Sequence, residues 1–469
     1  MADASLVWFR DDLRTADHPA LAAAMARQGP VHAVYIEETD DALRPLGGAA
    51  RWWLHHSLKA LAGDLAELGV QLEVRRGKAE DALFAALETH GADAVFWNRR
   101  YALAARAIDA SIKARAERAG LVVKSFAANV LIEPFDIETG AGKPYAVYTP
   151  FWRALKGRDI PHPLPVPEAR EEEPAPRNVD AAYAEPAWAE KLGEHCTIGE
   201  AAAREKLADF LDDRIGAYPD GRDIPSRPAT SGLSPHLRFG EISPRQIWHA
   251  ASALAHRSPD KASAIDKFLA ELAWRDFNIH QLYHRDDIAT VPMREKFRAL
   301  EWRAAPDALQ AWQRGRTGIP IVDAGMRELW ATGTMHNRVR MLVASLLTKN
   351  LLIDWREGEA WFWDTLVDAD EANNPGNWQW VAGIGLDAAP YFRIFNPVTQ
   401  GERYDPDGTY VRRWVPELAA LPDKWVHRPA EAPAEVLAAV DVGIGDTYPA
   451  PIVDLKVSRK RALEAYGAA

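Results

Sequence analysis

The stretch from Asp368 to Pro397, DADEANNPGNWQWVAGIGLDAAPYFRIFNP, gathers the side chains most able to do chemistry. Trp378 and Trp380 flank Gln379, while Asn373, Asn374 and Asn377 lie within five positions of one another. Asp368, Asp370 and Glu371 stand just upstream. Amides set among large aromatics can hydrogen-bond the edge of a flat ring system while indoles cover its faces. The same residues also describe a plain loop capped by asparagine and a following helix anchored by tryptophan. In isolation that second account is the simpler one.

A second chemical candidate is Thr230-Ser231-Gly232-Leu233-Ser234-Pro235. Ser234 before Pro235 reads as a helix N-cap with proline at the first helical position. Such a terminus offers free N–H groups and the positive end of a dipole to an anion. Thr230 and Ser231 add hydroxyls, and Gly232 permits close backbone approach. A pyrophosphate suits this set; so does an ordinary capped helix, which is how Ser243-Pro244 reads.

The elements that must position these residues follow from periodicity. Short apolar runs near 5–10, 31–37, 70–75, 93–98 and 121–126 read as strands. Helical spacing fills the gaps between them: from Asp17–Pro19 onward, from Gly47 to Leu68 (Trp52, Leu54, Leu58, Leu61, Leu65, Leu68), between the third and fourth strands, and near 103–119. Strand alternating with helix predicts an α/β doubly wound parallel sheet. The first strand runs into FRDDLR rather than a glycine fingerprint, which argues against a dinucleotide at that turn. Another ligand could still sit at the carboxyl ends of the strands.

The pattern breaks after about residue 130. Residues 161–176, PHPLPVPEAREEEPAP, read as an extended connector. Beyond 198, helical periodicity dominates and most tryptophans lie there. The expected division is therefore 1–130 (α/β), 131–197 (connector) and 198–469 (one large all-α domain).

Composition narrows the function class. The chain has 469 residues, 48% hydrophobic, enough for large cores. No apolar run has membrane-span length, and the N-terminus lacks a signal region, so a cytoplasmic protein is expected. A single cysteine, Cys196, excludes an internal disulfide or a cysteine-held cluster. Net charge is −11, which argues against a generic nucleic-acid coat but not against a local basic groove. Eighteen tryptophans invite an aromatic or electron-transfer role.

Several long motifs in order carry a resemblance: LVWFRDDLR, TSGLSPHLRFGEISPRQ, ELAWRDF, GRTGIPIVDAGMREL, MHNRVRM, LLIDWREGE and ANNPGNWQWVAGIGLDAAPYFRIFNP. On these, over nearly its whole length, the sequence resembles the DNA photolyase/cryptochrome family. The resemblance implies an α/β domain, a long connector and a helical domain binding FAD. It places Tyr218, Thr230, Ser231, Gly232, Leu233 and Ser234 on the diphosphate side. It puts an Arg340–Asp368 ion pair beside the isoalloxazine with Asp370 near, and sets Asn374 against flavin N5. An amide there can accept or donate, so it would tolerate both flavin redox states. Phe268 takes a flavin-flanking aromatic place, and Arg275 and Asn337 join the cofactor set.

The resemblance further implies a cyclobutane pyrimidine dimer in UV-damaged DNA, flipped out to meet Glu271, Trp274, Asn337, Arg338, Met341 and Trp380. Arg222 and Arg338 would contact phosphate. Light would excite reduced FAD, and an electron would split the dimer and return. Glu271 would hydrogen-bond a base carbonyl, which requires a protonated carboxyl; from the residues alone it could equally pair with Arg275 one turn on. Trp378, Trp355 and Trp302 match the family's electron-transfer chain.

Met341 stands where relatives that repair (6-4) photoproducts carry a histidine proton donor, and one cysteine cannot hold the iron–sulfur cluster of the bacterial branch, so cyclobutane repair is expected and no metal. The alternative is a cryptochrome-type photoreceptor without repair. Retained Glu271, Trp274 and Trp380, and the lack of a long tail after Tyr448, favour the enzyme, expected as a monomer. An antenna chromophore, methenyltetrahydrofolate or 8-hydroxy-5-deazaflavin, is also implied. Asn98 to Tyr101 (NRRY) lies near the folate contacts of some relatives, but Ala102 stands where they carry an acid.

Overall fold

The computed structural model describes residues 4–170, 179 and 183–468. Five strands form one parallel sheet: β1 (Ala4–Phe9), β2 (Val31–Glu38), β3 (Gln71–Gly77), β4 (Ala92–Asn98) and β5 (Val122–Phe126). The sheet order is β3-β2-β1-β4-β5. Leu6 of β1 faces His32 of β2 on one side and Val95 of β4 on the other. Helices α1 (Pro19–Met25), α2 (Gly48–Glu67), α3 (Ala79–His90) and α4 (Leu103–Arg118) alternate with the strands, as the periodicity predicts. Every residue of β1 is buried, the mark of a parallel strand covered on both faces. Proline opens α1, and the His18 ring accepts the Leu21 N–H as its cap.

Strand order reverses between β1 and β4, and in doubly wound sheets the crevice at that point is the usual ligand position. Here protein groups fill its floor. Arg10 donates to the Asn98 carbonyl, Asn98 donates to Asp12 (2.7 Å), and Asp12 meets His18 at 3.1 Å. Burial alone would raise the Asp12 carboxyl, but His18 and Arg10 hold it well below its ordinary range.

The segment after β5 holds a helix before the proline-rich stretch. α5 (Tyr148–Lys156) forms because Tyr148, Phe151, Trp152 and Leu155 fall on one face and are all buried. Residues 161–170 carry neither helix nor strand, and the rest of the expected connector, 171–176, lies outside the described residues.

Two compact units result. The first comprises Met1–Glu190, Cys196–Gly216 and Ser231–Asp286. Its later helices, Pro244–Arg257 and Ala262–His284, belong with the sheet because buried polar joints tie this part of the chain to it. Arg14 donates to the Gly240 carbonyl (2.9 Å), Arg245 pairs with Asp17 (2.8 Å), and Trp53 donates to Glu241 (3.1 Å). Gly240 holds φ +66°, and a Cβ there would lie 2.1 Å from the Asp11 carbonyl oxygen, so only glycine fits. Ser243 with Gln246 forms a capping box, the ordinary cap expected there.

The second unit comprises Lys191–His195, Ala217–Thr230 and Asp287–Ala469. It contains no strand among its described residues; its one β-bridge joins Ile444 and Tyr448. Its core gathers Trp312, Leu347, Trp355, Phe362 and Trp378. A π turn, Leu346–Asn350, extends the helix Asn337–Ser345. That turn buries Lys349, which donates to the carbonyls of Ala382 (2.7 Å) and Tyr391 (3.1 Å). No described helix is long and apolar enough to cross a membrane.

Candidate active site

In the sheet unit, the helix Ala262–His284 carries Phe268, Glu271, Trp274 and Arg275 on successive turns. Phe268 is buried against Phe210, with ring centroids 4.7 Å apart. Glu271 and Trp274 are half-buried. Arg275 donates to the carbonyls of Asn129 (2.6 Å) and Leu237 (3.4 Å) and lies 3.8 Å from Asp276. The guanidinium is thus committed to main-chain carbonyls on two neighbouring segments.

Ser231 to Leu233 precede a helix of five residues, Ser234–Arg238. The cap differs from the expectation. Leu233 is the N-cap, already near helical backbone (φ −87°, ψ −4°), so Ser234 is the first helical residue and Pro235 the second. The Ser231 hydroxyl accepts the Leu233 N–H at 3.4 Å. Gly232 has φ +65° and is exposed, as a close-approach turn requires.

In the helical unit, Arg340 and Asp368 form the expected pair in fork geometry, with contacts of 3.1 and 2.8 Å, and Arg340 Nε donates to the Met335 carbonyl. Asp370 spends its carboxylate on the start of the next helix, accepting the N–H groups of Ala372 (2.8 Å) and Asn373 (2.5 Å) and the Asn373 side-chain amide (2.8 Å). That helix, Asn373–Ala382, carries Asn374 and Trp378 one turn apart.

Asn374 is held in one orientation. Its NH2 donates to the Glu359 carbonyl (3.0 Å) and to the Glu359 carboxylate (2.8 Å). Both partners are acceptors, so the NH2 must face them. The amide oxygen Oδ1 of this buried residue has no hydrogen-bond partner among the described residues. An amide fixed this way can accept and cannot donate, which narrows the two-way role expected from sequence. Glu359 was missed because it lies fifteen residues from Asn374; a buried acid inside WREGEAWF was the available signal.

Trp378 is buried in an aromatic nest, 5.0 Å from Phe362 and 6.2 Å from Trp312 between ring centroids. A Cβ at Gly358 would lie 2.1 Å from its ring, so that glycine makes the seat. Trp355 is fully buried three residues before Gly358 on the helix Trp355–Thr365, and so shares its face. Trp302 is partly buried on the same core, 6.3 Å from Tyr466. The three tryptophans thus join one core but make no ring pair with one another.

Arg338 meets Asp223 at 2.8 Å and lies 4.5 Å over the Tyr404 ring, partners that sequence spacing could not reveal. Arg222 lies 5.3 Å over the buried Tyr218 ring. Thr230 is half-buried, Asn337 is exposed at the first turn of its helix, and Met341 and Trp380 pack partly buried on the core.

The sheet unit also holds a cavity of about 190 Å³ beside the carboxyl end of β4. Trp97, Tyr101, Arg106, Lys113, Phe135 and Tyr283 contribute to its lining. The Arg106 guanidinium lies 3.9 Å over the Tyr283 ring. Aromatic faces among cations suit a flat, anionic ligand.

Comparison with known proteins gives the family. Residues 5–168 match the family model for DNA photolyase, and residues 268–468 match that for the FAD binding domain of DNA photolyase. The deoxyribodipyrimidine photo-lyase of Agrobacterium fabrum is 49% identical over 99% of this chain and 97% of its own. The crystal structure of a bacterial class III photolyase from Agrobacterium tumefaciens superposes with a TM-score of 0.93 at 48% identity, covering 100% of this chain and 98% of that one. Cryptochrome-1 of Arabidopsis thaliana is 34% identical over 98% of this chain and 70% of its own. The chain belongs to the DNA photolyase/cryptochrome family.

Proposed function

We propose that the protein is a deoxyribodipyrimidine photo-lyase that repairs cyclobutane pyrimidine dimers in UV-damaged DNA with light. The observation that carries this is Asn374: a buried amide whose NH2 is held by Glu359, in the same unit as the Arg340–Asp368 pair. Its amide oxygen fits the N5–H of a reduced flavin, and FAD is the cofactor. FAD, when bound, supplies the light-excitable electron that opens the cyclobutane ring.

The chain's own residues do the rest. Arg340 and Asp368 balance charge beside the ring system, and Asp370 shapes the helix start that presents Asn374. Tyr218, Thr230 and Ser231 to Ser234 hold the diphosphate, with Phe268, Arg275 and Asn337 completing the cofactor set. Glu271 hydrogen-bonds a base carbonyl of the dimer. Trp274 and Trp380 stack on its bases, each stack worth roughly 1–3 kcal/mol, and Met341 adds apolar contact. Arg222 and Arg338 hold phosphate; for Arg338 this means exchanging Asp223 for the backbone. Trp378, Trp355 and Trp302 relay electrons from the surface to keep the cofactor reduced.

The cavity beside β4 takes the antenna. Its cations and aromatic faces suit methenyltetrahydrofolate or 8-hydroxy-5-deazaflavin, both flat and acidic, and on the sequence reading the protein acts as a cytoplasmic monomer. The reading is tested by illuminating the reduced protein with a dimer-containing oligonucleotide. Light-dependent loss of dimers supports it; intact dimers beside a normal reduced-flavin spectrum assign the chain to photoreception instead.

A further inference from the structure

Trp274 does not stand alone on its helix. Its ring lies parallel to that of Tyr148, centroids 3.8 Å apart at 11°, while Phe277 meets it edge-on at 5.6 Å and 80°. Tyr148 is itself fixed. It opens α5, is buried, meets the edge of Phe277 at 5.8 Å, and donates its hydroxyl to the Ala270 carbonyl. Ala270 lies one turn before Trp274, between Glu271 and the preceding turn, so a single side chain grips both the indole and the backbone that carries the Glu271–Trp274 pair. Burial, and then the Glu271 carboxylate, pushes the phenol above its ordinary range, so it remains a neutral donor.

A half-buried indole on a helix surface normally samples several rotamers, and a ligand that stacks on it must freeze one. Here the freezing is done in the chain without ligand, and one indole face is already covered, which commits the opposite face to any base. We propose that Tyr148 is a positioning residue for damaged DNA: it presets the Trp274 ring, and thereby supplies part of the preference for a flipped dimer over intact DNA. The proposal rests on the role assigned to Trp274 above.

The test compares Tyr148→Phe, Tyr148→Leu and Tyr148→Ala in flavin-loaded protein. Dark binding of dimer-containing and undamaged oligonucleotides is measured, together with repair per absorbed photon at saturating substrate. Tyr148→Ala and Tyr148→Leu are expected to weaken dimer binding about three- to tenfold, with undamaged binding and saturated repair unchanged. Tyr148→Phe, which keeps the ring, should stay within about twofold of the parent. In a Trp274→Ala background the Tyr148→Ala loss should vanish. The inference is overturned if Tyr148→Leu binds dimers like the parent, if both DNAs weaken equally, or if the loss persists without Trp274. The unsubstituted protein separates the two claims: failure of that protein to repair sinks the functional reading, whereas normal repair with indifferent Tyr148 variants sinks only this one.

Discussion

The cavity beside β4 and the cluster around Asn374 handle charge in opposite ways. The cavity is lined by cations, with Arg100 bound to both Glu38 and Asp109 and Arg106 lying over Tyr283. The Asn374 cluster carries one ion pair, two carboxylates (Glu359 and Asp370) spent on amide and backbone N–H groups, and otherwise neutral groups: an amide, indoles and a glycine seat. A site that only has to hold an anionic ring can rely on coulombic attraction. A site that must hand on an electron gains from fixed dipoles and a low dielectric, where one oriented amide matters more than several solvated charges.

This contrast can be broken experimentally. The largest effect is expected from Arg340→Ala, which leaves the Asp368 carboxylate buried without its fork partner. A loss of about 3 kcal/mol is expected, with most of the flavin absorbance lost on purification; Arg340→Lys should recover only part, since an ammonium cannot make the two parallel bonds. Unchanged flavin content in Arg340→Ala would remove the ion pair from the account.

Next comes Glu359→Gln. It offers Asn374 a donor as readily as an acceptor and leaves only the residue 359 main-chain carbonyl as an obligate acceptor, so the amide is held less firmly. The protein should keep its flavin, but the reduced form should reoxidise in air about tenfold faster, the value of roughly one hydrogen bond. Stopped-flow absorbance reads this directly, and an unaltered rate would show that the orientation is incidental.

The cavity should answer to charge instead. Arg106→Ala should lower the ratio of bound antenna to flavin severalfold, read from the absorption spectrum, and high salt should deepen the loss as screening replaces the remaining attraction. An antenna ratio that ignores both changes would place the second chromophore elsewhere.

The smallest effect on flavin and antenna concerns Lys349, which bears on stability instead. Burial lowers its ammonium from the ordinary 10.5 to about 7. The unfolded chain therefore binds the extra proton between those values, and stability rises with pH across that window. Thermal midpoints should climb from pH 7 to pH 10, at about 2–4 °C per kcal/mol for a unit of this size. Lys349→Met should flatten that slope.

The sequence made the sheet legible because strand and helix differ in period, and all five strands and the four alternating helices formed within a few residues of expectation. α5 escaped because its apolar face spans only nine residues beside proline-rich chain, too short a window for periodicity. Arg340–Asp368 was legible only through the motifs, since twenty-eight positions separate the partners. The lock on Asn374 and the stack on Trp274 depend on Glu359 and Tyr148, distant residues whose importance is orientation, and orientation leaves no spacing signature. The Ser234 cap was misplaced by one position because Leu233 already adopts near-helical backbone, a conformational detail that residue identity does not encode.

The most direct measurement is dimer loss in an oligonucleotide under blue light, with Glu271→Ala run beside the unsubstituted reduced protein. The account predicts light-dependent repair by the parent and a severalfold lower yield per absorbed photon in the variant, because the base carbonyl loses its hydrogen bond. Dimers that survive illumination of the parent while its flavin remains bound and reduced would contradict it.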